Sequence, residues 1–417
     1  MADLENTTDF RPRSILDTDL YKLTMQQAVL QHFPKTNVTY KFTNRATEML
    51  FSRECFELAK QSIKRLAELR LQPQEAEWLR VNCPYFTEEY IKYLSAYRFR
   101  PDEQIKMELH VTSEPGATVE EGHISMEITG LWAETITYEV PVMSILSEAY
   151  FLTVDNHWTY EGQEELAYQK AKRLIQAGVS FSDFGTRRRR SYRGQDLVLK
   201  GLIRAHKEFS EEGARGRLTT ALCDEIWTFG DGHDSPIAAT RGYDNANGIA
   251  MDLWEDTYPS NKSNALHIAL TDTFSTDAFN VNFKVDAERA KRWRGLRQDS
   301  GDPFEFIAKA RAVYEQMEID HRQKLIVFSD SLDVEVAIKI QAVVDREGFI
   351  GAFGIGTFLT NDYKRVDNGQ KSKPLNMVIK IASVEGEPCV KISDDILKNT
   401  GDPVVISQVK RMFGLAA

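Results

Sequence analysis

The sequence is 417 residues long, 42% hydrophobic and 27% charged, which is ordinary for a soluble globular protein and long enough for about two domains of ~100–200 residues. Its net charge of −10 argues against a nucleic-acid polyanion as the main partner, although basic residues can still be concentrated locally. No run approaches the ~20 apolar residues of a membrane span and Met1–Arg13 is polar rather than signal-like, so no membrane partner and a cytoplasmic or nuclear location are expected.

Leu16, Leu20, Leu23, Met25, Ala28 and Leu30 predict a helix, followed by a strand at Val38–Phe42. Helical spacing returns in Glu48–Leu71, Pro73–Val81 and Thr87–Ala96, the last two separated by Asn82-Cys83-Pro84. Alternation in Ile105–Val111 and Ile124–Ile128, on either side of Glu114-Pro115-Gly116, predicts small antiparallel strands. These elements make an α+β module of about 140 residues. Helices at Glu134–Thr153 and Gly162–Ala177 lead into a strand at Val179–Phe181, and a further helix covers Gln195–Phe209. Glu211–Arg241 has weak periodicity and predicts no strand.

Four apolar runs follow, and each halts on a polar or glycine-rich turn. Leu266–Leu270 stops at Thr271-Asp272-Thr273, Leu296 runs into Arg297–Asp302, Leu325–Phe328 stops at Ser329-Asp330-Ser331, and Ile350–Phe353 at Gly354–Thr357. Their starts lie roughly 25–30 residues apart, the length of one strand and its covering helix, so this half predicts repeated β/α units. Asn376–Ala382 and Pro388–Ile392 read as strands outside the series. The expected division is therefore 1–140 plus about 375–417 as one module and 141–374 as a β/α-barrel domain.

Parallel strands joined this way bring their carboxyl ends, and the turns behind them, to one face. Asp183–Arg190 carries four consecutive arginines, which suit either substrate phosphates or a solvated basic stretch. Phe184 is either a flat wall for an aromatic ring or a core residue. Asp299 and Asp302 are candidate Mg²⁺ ligands, although Asp302-Pro303 before an apolar helix is also an N-cap pattern. Arg297 suits a substrate carboxylate or a neighbouring Asp. Asp272 and Asp330 are site residues or caps. Gly354, Gly356 and Thr357 let a phosphate approach the backbone or simply make a tight turn. His233, set among glycines and acids, is a base, a nucleophile or an exposed loop histidine. The four cysteines lack ligand spacing and predict neither zinc nor a disulfide framework. From residues alone the reading stops at a β/α enzyme acting on a phosphorylated small molecule with Mg²⁺. An aldolase-like enzyme or phosphohydrolase would need a catalytic Lys or paired His at a strand end, and neither is found.

Several segments, in order along nearly the whole chain, resemble the nicotinate phosphoribosyltransferase family. They are Asp17–Met25, Tyr40–Arg45, Asp183–Arg189, Leu270–Phe274, Arg297–Pro303, Ser329–Leu332, Phe353–Thr357 with Leu359–Asp362, and Leu375–Lys380. The resemblance, closest to the bacterial and fungal branch, implies an irregular β/α barrel of the type II phosphoribosyltransferase kind, packed on an α+β module built from both chain ends. It implies the joining of nicotinate to 5-phosphoribosyl-1-pyrophosphate, giving nicotinate mononucleotide and pyrophosphate in NAD salvage, with ATP as co-substrate. Carried over, Tyr21 and Phe184 stack on the pyridine ring, and Arg297 pairs with the carboxylate or sits beside the ring. Arg187 and Arg189 hold phosphates, Asp299 takes ribose hydroxyls or Mg²⁺, and Gly354, Gly356 and Thr357 receive the 5′-phosphate. A monomer or a homodimer fits, since relatives of this fold often take the Tyr21-like aromatic from a second subunit.

One segment departs from the pattern. Where the family has a GTSN-like turn and then G-T-x-A-H-E-W, with the phosphorylated histidine, this chain has Leu218–Ile226 and Gly230–Pro236. His233 falls near the expected place without the Ala before it or the Glu-Trp after it. An ATP-uncoupled or impaired homologue is therefore an alternative expectation.

Overall fold

The structure is a computed structural model that describes residues 10–114, 118–211, 214–219, 245–261, 263–395 and 399–415. In chain order the strands of the first half are β1 (Asn37–Asn44), β2 (Phe51–Ser52), β3 (Ile105–Val111), β4 (Glu121–Leu131), β5 (Ser180–Asp183) and β6 (Arg217–Leu218). The second half adds β7 (Ile268–Leu270), β8 (Gly295–Gln298), β9 (Leu325–Phe328), β10 (Ile350–Ile355), β11 (Tyr363–Lys364), β12 (Lys371–Ser372), β13 (Met377–Val384) and β14 (Glu387–Pro388).

Two sheets organise the chain. The first runs β14-β13-β1-β4-β2 with β3 on β4, and all its pairings are antiparallel. Its β1 buries Val38, Tyr40 and Phe42 on one face and turns the intervening residues outward, the period-2 pattern of a strand with one face on a core. β13, from the far end of the sequence, pairs with β1 from Val38↔Val384 to Asn44↔Met377, so both chain ends build this sheet. The second sheet is wholly parallel, in the order β6-β5-β10-β9-β8-β7. Helices Pro303–Gln316 and Val334–Glu347 connect β8 to β9 and β9 to β10. Every residue of β9 is buried, as expected of a parallel strand covered on both faces.

Helix Glu139–Thr153 lies between the sheets. It packs on β13, on helix Arg53–Lys64 and on the short turn Thr186–Arg188, and it is buried almost all round. A helix apolar on every side belongs inside a core.

The structure corrects several expected boundaries. The first helix spans Tyr21–His32, not the Leu16 region, because residues 14–20 form turns whose acids serve the site described below. Glu48–Leu71 holds the short strand β2, the helix Arg53–Lys64 and one 3-10 turn, the helix starting where Ser52 Oγ accepts from Cys55 N–H at 3.1 Å. β6 exists where no strand is expected, since two residues with one buried side chain carry no period. Of Pro388–Ile392, only Pro388 is in a strand, and Lys391 makes an isolated bridge with Thr400. Cys55, Cys83 and Cys389 are buried; Cys223 lies outside the described residues. No described helix is long and apolar enough to cross a membrane.

Candidate functional site

A cavity of about 590 Å³ opens at the carboxyl ends of β5, β8, β9 and β10. β5 delivers Asp183, Phe184, Arg187 and Arg188; β8 delivers Arg297 and Asp299; β9 delivers Ser329 and Asp330; β10 delivers Gly354, Gly356 and Thr357. Asp19 and Tyr21 enter from the turn and first helix, Arg45 from the end of β1, and Lys371, Lys380 and Lys391 from the C-terminal part. The cavity thus sits between the two sheets and draws on both.

The Phe184 ring packs against Gly354. A Cβ at that glycine would stand 2.2 Å from a ring carbon, so Gly354 is there to admit the ring. Phe184 N–H also donates to Ile355 carbonyl at 2.9 Å, which fixes the backbone under the ring. The Arg297 guanidinium carbon is 5.9 Å from the ring centroid. Arg297 Nε donates to Ser329 Oγ at 2.8 Å and Nη2 to Asp299 Oδ1 at 3.1 Å, while Ser329 Oγ donates to the same Asp299 oxygen at 2.6 Å. A buried cation is therefore held rigidly beside an aromatic face, an arrangement suited to a planar anion.

Charge on the other wall is dense. Lys22 and Glu139, 1% and 3% exposed, pair at 2.5 Å, and the second Glu139 oxygen faces Arg187 Nη1 at 3.6 Å. Burial pushes the Asp19 carboxyl up to about 7; Arg187 and Lys22 oppose the rise, and Glu139 and Asp183 add to it. Burial likewise lifts Asp183 to about 6, against hydrogen bonds from Gln195 and Gly185 N–H. Burial, then the adjoining Arg187 and Arg45, pulls Arg188 down to about 9. Seven Arg and Lys side chains line the cavity against six Asp and Glu. In a chain of net charge −10 the lining has cations in slight excess, and Asp19 and Asp183, where they hold their protons, add to that excess, which favours anionic ligands.

Most of the sequence candidates converge here: Tyr21, Phe184, Arg187, Arg297, Asp299, Asp330, Gly354, Gly356 and Thr357 all line the cavity. Four do not fit as expected. Arg189 is 1% exposed and turns away from the cavity, its guanidinium held by Asp17. Asp272 is buried behind the wall, where its Oδ2 accepts from Ser300 Oγ and Ser393 Oγ and lies 3.1 Å from Lys391 Nζ; it holds a cavity lysine. Asp302 is the N-cap of Pro303–Gln316, its Oδ1 accepting from Phe304 N–H at 2.7 Å and Glu305 N–H at 3.2 Å. Gly354 presents its bare face to Phe184, whereas Gly356 and Thr357 line the cavity beside it. His233 lies outside the described residues.

Arg45, Arg188, Lys371, Lys380, Lys391, Asp19 and Glu139 also line the cavity, and residue reading did not select them. Arg45 follows a strand directly, as the chosen residues do, and applying the strand-stop rule to β1 would have found it. Among the described residues no group of three or more His, Cys, Asp or Glu is placed to hold a metal. Asp299 and Asp330 line the cavity.

Two family profiles match the chain: the nicotinate phosphoribosyltransferase (NAPRTase) N-terminal domain over residues 16–147 and the nicotinate phosphoribosyltransferase (NAPRTase) family over residues 227–417. A Schizosaccharomyces pombe protein named "probable nicotinate phosphoribosyltransferase" is 42% identical over 96% of this chain and 98% of its own length. The Saccharomyces cerevisiae nicotinate phosphoribosyltransferase is 38% identical over 96% of this chain and 95% of its own. The nicotinate phosphoribosyltransferase structure from Porphyromonas gingivalis superposes with a TM-score of 0.83 at 32% identity, covering 97% of this chain and all of that one. A solved structure from Saccharomyces cerevisiae reaches 0.89 at 37% identity, covering 97% and 99%. The match from residue 227 takes in His233 and much of the segment that departs from the family pattern, and nothing in these similarities supports a phosphohydrolase or an impaired homologue. With its cavity chemistry, two profiles and full-length relatives in agreement, the chain belongs to the nicotinate phosphoribosyltransferase family.

Proposed function

We propose that the cavity joins nicotinate to 5-phosphoribosyl-1-pyrophosphate, releasing nicotinate mononucleotide and pyrophosphate, with ATP hydrolysed alongside. The observation that carries this reading is Arg297, buried and braced beside the Phe184 ring within a cation-rich cavity. Nicotinate offers the matching pair of groups, a flat ring and a carboxylate.

The pyridine nitrogen supplies its own electron pair, so no protein nucleophile is needed. It forms a bond to the anomeric carbon as the bond to the pyrophosphate oxygen breaks, and that pair leaves with pyrophosphate. The site must therefore position two substrates and balance charge. Phe184 and Tyr21 locate the ring and Arg297 takes the carboxylate. Arg45, Arg187 and Arg188 neutralise the pyrophosphate, with Gly356 and Thr357 at the 5′-phosphate. Asp299 takes ribose hydroxyls or a Mg²⁺ carried in with the pyrophosphate; such an ion would withdraw charge from the leaving oxygens. ATP coupling through a phosphorylated His233 is proposed from the sequence alone. We read β5 to β10 as the described part of a closed barrel packed on a module from both chain ends, placed in the cytoplasm. Tyr21 and Phe184 line one cavity within one chain, which favours a ring site complete in a monomer.

Titration calorimetry tests the reading. Nicotinate should bind to the free protein, whereas nicotinamide, without the carboxylate, should bind at least about tenfold more weakly. Equal affinity for the two would remove Arg297 from its role.

A further inference from the structure

The sequence places Arg189 among phosphate ligands, yet the structure buries it. Its two terminal nitrogens donate side by side to Asp17, Nη1 to Oδ1 at 2.6 Å and Nη2 to Oδ2 at 2.9 Å. Nη1 also donates to Gln195 Oε1 at 2.9 Å. Gln195 Nε2 in turn donates to Asp183 Oδ2 at 2.7 Å and lies 3.1 Å from Thr186 Oγ1, and Asp183 Oδ1 accepts Gly185 N–H at 2.7 Å. Ser147 Oγ, on the central helix, donates to the Arg189 carbonyl at 2.7 Å.

This chain of bonds connects two segments that are far apart in sequence and adjacent at the site. Asp17 stands two residues before Asp19 and four before Tyr21, which line the cavity. Asp183 and Thr186 flank Phe184 and precede Arg187, which line it too. A planar fork gripping both oxygens of one carboxylate fixes orientation as well as distance, which a point charge on a flexible stem does not. Buried ion pairs contribute little net stability but are well suited to setting register between elements.

We infer that Asp17, Arg189 and Gln195 are positioning residues that set Tyr21 and Phe184 relative to one another, and so tune affinity for the aromatic substrate without touching it. This rests on the proposed function, since it assigns that substrate to the cavity. A purely structural ion pair would instead cost both substrates and thermal stability together.

The test is steady-state kinetics on full-length R189K, which keeps the charge and loses the fork, and on the gentler D17N, with the double variant R189K/D17N. KM for nicotinate should rise about tenfold, as expected for a slight misplacement of the ring, with KM for phosphoribosyl pyrophosphate within about twofold. The double variant should be no worse than the poorer single one, because the pair acts as a unit. Equal rises in both KM values, a loss tracking only the fall in Tm, or an unchanged nicotinate KM in D17N would overturn the inference and leave the proposed function standing. Absence of product from the unaltered protein is a different result: it overturns the proposed function and this inference with it.

Discussion

Four consecutive arginines divide their labour because the backbone turns beneath them. The 3-10 turn Thr186–Arg188 directs Arg187 and Arg188 to the cavity, and the chain then carries Arg189 and Arg190 into the interior. Arg190 there lies over the Phe151 ring at 3.7 Å. Composition at this place announces cations, but only the turn says which of them face the cavity: the resemblance points to Arg187 and Arg189, and the structure brings Arg187 and Arg188 there. Phe184 and Asp299 were legible because each follows a strand end directly, and Arg297 because it stands one residue before the end of β8. Replacing Arg297 with Ala should weaken nicotinate binding about 10- to 100-fold, the worth of a lost charged hydrogen bond, with a smaller effect on phosphoribosyl pyrophosphate. Calorimetry with each substrate separately checks this, and equal losses would contradict it. Gly354→Ala should push the Phe184 ring aside, since the new methyl has no room. We expect a stability loss of about 1–3 kcal/mol for the overpacking, read by denaturant unfolding, together with a raised nicotinate KM.

Strand stops organise the site at the scale of elements. The β/α period located β7 to β10 and the face they share, because buried parallel strands are short apolar runs bounded by turn residues. It could not locate β6, whose pairing with β5 through Ser180↔Arg217 and Phe181↔Leu218 is a tertiary fact with no local pattern. It does point to the capping aspartate, because Asp302 precedes a proline and an apolar helix and Asp299 does not, and Asp302 is the N-cap of that helix. The structure makes them different experiments. Asp302→Ala should cost about 1 kcal/mol of stability through the lost cap and leave turnover unchanged. Asp299→Asn should depress turnover with little loss of stability; thermal melts beside rate assays distinguish the two, and matched behaviour would contradict the assignment.

Across the whole molecule, an acidic chain gathers cations between two sheets, and the half-buried acids among them make the site sensitive to pH. Asp19 has an ordinary value of 3.8 and is raised to about 7 in the folded chain. The folded state therefore keeps a proton that the unfolded state has lost. This group's contribution to stability is full below about 3.8 and is lost as pH rises through about 7. The same deprotonation adds negative charge beside Arg187, Lys22, Glu139 and Asp183, so affinity for anionic substrates should fall between pH 6 and about 8. Asp19→Asn should flatten that step in a binding titration; an unchanged step would place the titrating group elsewhere. The pairing of β1 with β13 was only suggested by strand-like runs at Asn376–Ala382, since partners as far apart in sequence as Val38 and Val384 leave no periodic trace.

The central claim is that this cavity makes a bond between a pyridine nitrogen and a phosphoribosyl carbon, and formation of nicotinate mononucleotide by the purified full-length protein tests it most directly. With nicotinate, phosphoribosyl pyrophosphate, Mg²⁺ and ATP, the account predicts mononucleotide and pyrophosphate in equal amounts, ADP release alongside, and far less product when nicotinamide replaces nicotinate. No mononucleotide from a folded protein that binds nicotinate, or equal turnover of the acid and the amide, would contradict it.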